Sequence, residues 1–222
     1  MAPTTSLGIV AGAAAHLERA ERIDERTGSL SVAPGQVAGL VGPPGFGLTR
    51  LGLLLLAPHA AVGMVAVLDV RGWMSPLAAW ELGIDPDRLV IVRCDDPVRW
   101  GRVAAALLDG VAGLYAEVPR GVKDTQIRTL GALARTRSTP MVLRPVRRDL
   151  PGGVAQLRLD AAGVSWDGAE SGHGRLQRRR VELTASGKAM RGMSTRIEWE
   201  DDGTDTVHLV SRLAVAPAGR AV

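Results

Sequence analysis

Several residue types are scarce in this chain, and each scarcity excludes something. Cys94 is the single cysteine, so an internal disulfide and a thiolate metal cluster are both excluded. His16, His59, His173 and His208 are scattered, with no metal-ligand spacing to one another or to Cys94. No G-x-S-x-G, H-E-x-x-H or C-x-x-C occurs, and no nucleophile–base pair can be read from the spacing. Metal and catalytic residues are therefore expected to be none. Phe46 and Tyr115 stand alone in their types, Asn is absent, and Lys123 and Lys188 are the only lysines among 27 basic residues. Residues with AT-rich codons are thin together, as in a GC-rich genome. The net charge of +4 thus reflects codon bias as much as function, and permits an anionic partner without demanding one. The start, MAPTTSLGIVAG, lacks the basic region of a secretory signal. Pro58, His59 and Gly63 interrupt the apolar stretch Leu51–Leu68, which reads as a helix followed by a strand rather than a membrane span. A cytoplasmic protein without membrane contact is expected.

What is present suits one globular domain. The 222 residues are 46% hydrophobic and 23% charged, enough for a sizeable core without disulfides. Val10, Ala13, Ala14, Leu17, Ala20 and Ile23 recur at helical spacing, which predicts an amphipathic helix over 10–26. Short apolar runs predict strands at Gln36–Val41, Met64–Val70, Leu89–Arg93, Val111–Val118 and Pro140–Leu143. Helices are predicted between them at Thr49–Leu56, 75–82, Pro97–Leu108 and Asp124–Arg135, with Asp95 or Asp96 as a cap. Continuous apolar strands alternating with helices indicate a mostly parallel sheet covered on both faces. Beyond residue 150 the pattern changes. Ile197 and Trp199 alternate with charged residues, and Val207, Leu209, Ser211, Leu213 and Val215 repeat the period of two. That period predicts antiparallel strands. The expected fold class is α/β, with antiparallel β strands in the C-terminal third. The expected organisation is an N-terminal helix (1–30), an α/β core (31–160) and a β-rich extension of the same domain (161–222).

Residues 42–49 read GPPGFGLT. The phosphate-loop pattern is G-x-x-x-x-G-K-[ST]: loop N–H groups cradle phosphates, the lysine reaches the β and γ phosphates, and the hydroxyl holds Mg²⁺. Gly42, Gly47 and Thr49 stand at the right spacing, but Leu48 takes the lysine position. Arg50, two residues on, is expected to face away, because helical residues turn by about 100° each.

The run GQVAGLVGPPGFGLTRLGL, followed by VLDVRGWMSPLAAWELGIDPDRLVIVRC, resembles the RecA family. In that family a phosphate loop precedes a strand ending in D-A-E-x-x-x-x-P and then L-G-[VI]-D-x-x-x-L. Asp69, Pro76, Leu82, Gly83, Ile84, Asp85 and Leu89 hold those places. The resemblance covers about 35–160, and Gly152-Gly153 before Leu157 extends it faintly. It implies a RecA-like core whose water-activating acid falls at Arg71 and whose metal-side aspartate falls at Glu117. A permanent cation cannot accept a proton, so ATP hydrolysis is not expected. The implied vestigial nucleotide residues are Gly42, Gly45, Gly47 and Thr49, with Asp69 and Glu117 as weak metal candidates.

Loops after the fourth and fifth strands are shorter than the recombinases use for DNA. A RecA-like core with its catalytic parts removed resembles the accessory proteins of the bacterial translesion mutasome, the ImuA type. That resemblance implies a scaffold in damage-induced mutagenesis. Its partners would be a Y-family polymerase-like subunit and an error-prone replicative-type polymerase. Two alternatives stand beside it: a nucleotide-binding ATPase or switch, and a DNA-binding modulator of RecA filaments. Arg144, Arg147, Arg148, Arg178, Arg179 and Arg180 are candidate DNA contacts, because arginine pairs well with phosphate. Leu17, Ile23 and Trp199 are candidate partner contacts. The five tryptophans, Trp73, Trp80, Trp100, Trp166 and Trp199, are expected in the core or at an interface. No cofactor is expected, with ATP the alternative.

Overall fold

The computed structural model describes residues 32–147, 149–168, 177–190, 193–201 and 207–212. The predicted N-terminal helix, with Leu17 and Ile23, lies outside the described residues, as does Arg148. The chain builds β1 (Val37–Val41), α1 (Leu48–Leu56), β2 (Val65–Asp69), α2 (Pro76–Trp80) and β3 (Leu89–Arg93). It continues with α3 (Pro97–Leu108), β4 (Gly113–Val118), α4 (Asp124–Arg137) and β5 (Met141–Pro145). Four strands complete it: β6 (Leu157–Asp167), β7 (Arg178–Ser186), β8 (Thr195–Asp201) and β9 (Val207–Arg212).

Among the described residues, nine strands form one sheet in the order β3-β2-β4-β5-β1-β6-β7-β8-β9. Pairing is parallel from β3 through β6 and antiparallel from β6 through β9. The α/β class and the change of strand direction are as expected from the change in hydrophobic period. The expected boundary at residue 160 falls inside β6, which pairs with both β1 and β7. The β-rich segment is thus continuous with the parallel sheet. β7 was not anticipated as a strand, because Arg178, Arg179 and Arg180 mask the alternation of Val181, Leu183 and Ala185, which are all buried.

Two apolar layers cover the sheet. One contains α1 and α2 and reaches Val181, Leu183, Ile197 and Trp199 of the antiparallel part. The other contains α3 and α4. Six leucines of α1, Leu48, Leu51, Leu53, Leu54, Leu55 and Leu56, are all buried, while its polar residues Thr49 and Arg50 lie in the first turn. Gly52 lets this helix lie against the sheet: a Cβ there would fall 2.5 Å from the Tyr115 ring. α3 starts where Asp96 accepts a hydrogen bond from the Val98 N–H at 2.8 Å, with Pro97 in its first turn. Buried Trp100 of α3 donates its indole N–H to the Glu117 carbonyl at 2.6 Å, fixing α3 on β4.

Candidate functional site

The C-terminal ends of the parallel strands carry the site, where loops leave an α/β sheet and ligands bind in such folds. A cavity of about 390 Å³ opens there. It is lined by the loop before α1, the ends of β2, β4 and β5, and Arg179 from β7.

The loop residues divide by role. Gly47 has φ 68° and caps α1, whose first turn receives no side-chain cap. Gly45 has φ 89° and open space where a Cβ would stand. Both line the cavity, as does Thr49. Gly42 is not among the lining residues. A Cβ there would stand 2.6 Å from the Ala161 Cβ, so its place in the loop is a packing requirement. Leu48 is fully buried: the position that carries lysine in the motif belongs here to the apolar core. Arg50 lines the cavity, against the expectation from helical geometry, and bonds to Glu81 at 2.8 Å.

The two carboxylates at the strand ends are already occupied. Asp69 is 2% exposed. It accepts hydrogen bonds from the N–H groups of Gly72 at 2.9 Å, Trp73 at 3.3 Å and Met74 at 3.0 Å, which fixes the loop after β2. Glu117 is 3% exposed. It accepts from the N–H groups of Val70 at 3.1 Å and Arg71 at 3.2 Å. Its other oxygen receives Arg71 Nε at 2.9 Å and Nη2 of the same guanidinium. Burial works against the Arg71 charge, but the Glu117 bond and field outweigh it and hold the guanidinium above its ordinary range. Trp73 stacks on the Arg71 guanidinium, 4.6 Å from the ring centroid.

Three further polar groups line the cavity. Tyr115 is 1% exposed and donates to Thr49 Oγ1 at 3.4 Å. Burial pushes its hydroxyl up from the ordinary tyrosine value, against the nearby Arg144 charge. Arg144 is 6% exposed and donates to Thr49 Oγ1. Arg179 lies between Trp166 and Trp199, 5.3 and 5.4 Å from their centroids. It also sits on the loop: a Cβ on Gly47 would fall 2.5 Å from Arg179 Nη2.

This arrangement does not fit a magnesium–nucleotide set for hydrolysis. The lysine position is core, the position of the water-activating acid is a cation, and Glu117 is closed by that cation. Among the described residues no cluster of three or more His, Cys, Asp or Glu side chains is placed to hold a metal ion.

Other predicted residues fall elsewhere. Arg178 and Arg180 pair with Glu200 and Glu198 at 2.9 and 2.6 Å, so their charge is balanced across the β7–β8 ladder. Arg144 and Arg179 line the cavity and do not form an outer basic face with them. Arg147 is exposed. Trp199 is 1% exposed, which makes it core and corrects its reading as a partner contact. Trp73 and Trp80 are 68% and 51% exposed and, like Leu77, face outward beside the cavity. Sequence reasoning missed Arg144 as a cavity residue, because its register beside Glu117 exists only once β4 and β5 pair. Among the described residues no helix is long and apolar enough to cross a membrane.

Comparison with known proteins agrees with this architecture. Residues 47–148 match a family described as the MT3502 N-terminal domain. Protein RecA of Heliobacterium modesticaldum is 26% identical over 208 residues, covering 79% of this chain and 58% of that protein. Protein RecA of Clavibacter michiganensis is 27% identical over 212 residues, covering 87% and 55%. The chain thus spans under two thirds of the length of these relatives. The crystal structure of the RadB recombinase superposes with a TM-score of 0.54 at 18% identity, over 86% of this chain and 97% of that one. Strand order, the loop before α1 and the superposition together show a RecA-like fold, in a chain whose sequence is similar to RecA.

Proposed function

We propose that this chain is a non-catalytic RecA-like accessory protein of DNA damage tolerance, a scaffold that binds a polymerase-like partner in translesion synthesis. The observation that carries the loss of catalysis is the buried Arg71–Glu117 pair. A general base must accept a proton, and a metal-side carboxylate must be free to take Mg²⁺. Arg71 removes the first function by its own chemistry and the second by occupying Glu117. Buried Leu48 removes the phosphate-side charge as well. The RecA relatives support a role near DNA recombination and repair. The narrower translesion role rests on the resemblance to the mutasome accessory proteins.

Two measurements test this reading. Phosphate release from MgATP, with and without single-stranded DNA, is expected to stay at background. Stoichiometric turnover abolished by Gly47→Ala would overturn the non-catalytic reading. A tagged pull-down from the native host, before and after DNA damage, is expected to enrich polymerase-type partners after damage. Enrichment of RecA without polymerases would instead make the protein a filament modulator.

A further inference from the structure

We propose that the exposed tryptophan rim of α2 and the cavity beside it form one docking surface for a partner-protein peptide that carries a carboxylate next to apolar side chains. The inference rests on the scaffold reading above and names the surface and the chemistry of the partner segment. The rim comes from the loop after β2 and from α2. Trp73, Leu77 and Trp80 follow one another at helical spacing and are 68%, 52% and 51% exposed. Ser75 and Pro76 between them are exposed as well. Trp73 also lines the cavity, so the apolar rim and the cavity are continuous. Two exposed indoles and a leucine on one short segment are the composition of an interface centre rather than of a solvated surface.

The rim is held in place from below. Asp69 accepts hydrogen bonds from the backbone N–H groups of Trp73 and Met74. Arg71, fixed by Glu117 through its Nε at 2.9 Å, stacks against the Trp73 ring. A ring held this way loses little side-chain freedom on binding, which lowers the cost of association. The Arg71–Glu117 pair therefore does more than close the metal-side carboxylate. It presents an indole to a partner.

The cavity supplies the charge that selects the partner. Arg144 is more than nine-tenths buried and lines it. Glu117 is its neighbour in the β4–β5 register but pairs with Arg71 instead. Among the described residues no carboxylate forms an ion pair with Arg144, whose hydrogen bond goes to the neutral Thr49 hydroxyl. A buried cation without a counter-ion is costly, and a guanidinium takes a carboxylate through two parallel N–H bonds. The space of about 390 Å³ admits one acidic side chain. The rim outside it takes the apolar neighbours of that residue. A small free anion would enter the cavity and leave both indoles in water. A peptide with Asp or Glu beside an aliphatic or aromatic residue covers cavity and rim together.

Selection of a phage library of random dodecapeptides on the full chain tests this, followed by fluorescence anisotropy with the enriched peptide. The enriched peptides are expected to share an Asp or Glu within a few residues of Leu, Met or an aromatic residue. Leu77→Ser is expected to weaken the enriched peptide roughly tenfold, as at an interface anchor. Arg144→Gln is expected to do the same, the worth of a charge-assisted hydrogen bond, while Arg144→Lys retains most of the binding. Neutralising the peptide acid to Asn or Gln is expected to weaken binding to the parent chain but not to Arg144→Gln, the mark of a direct contact. Where Arg144→Gln fails to fold, the surface variant Leu77→Ser and the neutralised peptide decide the matter. No enrichment, enriched peptides without an acid, or affinity unmoved by Leu77→Ser overturns the proposal. Self-association in light scattering that Leu77→Glu abolishes would make a second copy the occupant and overturn it too. Polymerase-type partners recovered equally by the parent and by Leu77→Glu would overturn only this inference. Peptide binding as expected, without such partners in the pull-down, would overturn only the translesion reading.

Discussion

Replacing Arg71 by Met tests the electrostatics of the site most directly. The substitution keeps an apolar stem against Trp73 and removes the charge facing Glu117. Glu117 is 3% exposed and cannot turn to solvent. Removing one partner of a buried ion pair costs roughly 3–5 kcal/mol, because the other charge is left buried. Two backbone N–H groups still reach Glu117, and the Arg71 side chain is 15% exposed. The cost therefore belongs at the low end, about 3 kcal/mol. At about 2–4 °C per kcal/mol for a domain of this size, Tm falls by roughly 6–12 °C. Glu117→Gln leaves the cation at the more accessible end and is expected to cost about 1–2 kcal/mol. The double variant is expected to be more stable than Arg71→Met alone, with a coupling energy of roughly 2 kcal/mol in a double-mutant cycle. Urea unfolding followed by circular dichroism reads all four corners of the cycle. Additive effects, or an Arg71→Met variant within about 0.5 kcal/mol of the parent, would refute the claim that this pair closes the site.

Leu48→Lys restores the motif lysine but buries a charge near Arg144. We expect a loss of roughly 2–5 kcal/mol and no phosphate release from MgATP; hydrolysis in this variant would mean that Arg71 does not block the site. Gly47→Ala forces a Cβ at φ 68° to within 2.5 Å of Arg179 Nη2, whereas Gly45→Ala meets open space. The first is expected to cost at least about 2 kcal/mol and the second about 1 kcal/mol, and the reverse order in urea midpoints would contradict the placement of Arg179. Tyr115 is the single tyrosine, and burial raises its hydroxyl above the ordinary 10.0. The stability it contributes is complete below that value and is lost as pH rises toward the folded value. Tyrosinate absorbance at pH 10 is therefore expected only on unfolding, and its appearance in the folded protein would place the ring nearer solvent. Asp149 is held below its ordinary value, first by its bond from Arg158. Its small contribution, made by an exposed group, is present above the unfolded carboxylate range and lost as pH falls through the folded value. Arg158→Gln should flatten that acid limb of the urea midpoint, and an unchanged limb would remove the pair from the account.

Much of the architecture was legible because it depends on local periodicity. The five parallel-type strands before residue 150 and their intervening helices lie within a few residues of the expected spans, since each is a continuous apolar run bounded by Gly, Pro or Asp. Asp96 was legible as a cap from its place before Pro97. β7 was hidden because three arginines open it, although Val181, Leu183 and Ala185 carry the period-two signal. Trp199 misled for another reason. A tryptophan alternating with charged residues marks one face of a strand, but not whether that face meets solvent, a partner or the domain's own core.

The candidate site divides along the same line. What the site lacks at two positions was written in the chain: Leu48 stands where the motif has lysine, and Arg71 stands where the resemblance places an acid, with no tertiary structure needed to read either. What fills the resulting space was decided only by folding. Arg71 reaches Glu117 across 46 residues, and Arg144 reaches Thr49 across 95. Arg179 reaches the loop from the antiparallel half of the sheet. These meetings follow from the strand order β2-β4-β5-β1-β6-β7, which brings distant strand ends to one edge. A local run of sequence fixes its own helix or strand through backbone hydrogen bonds and side-chain period. The pairing of charges between runs depends on sheet order and register, and these are settled by packing of the whole core.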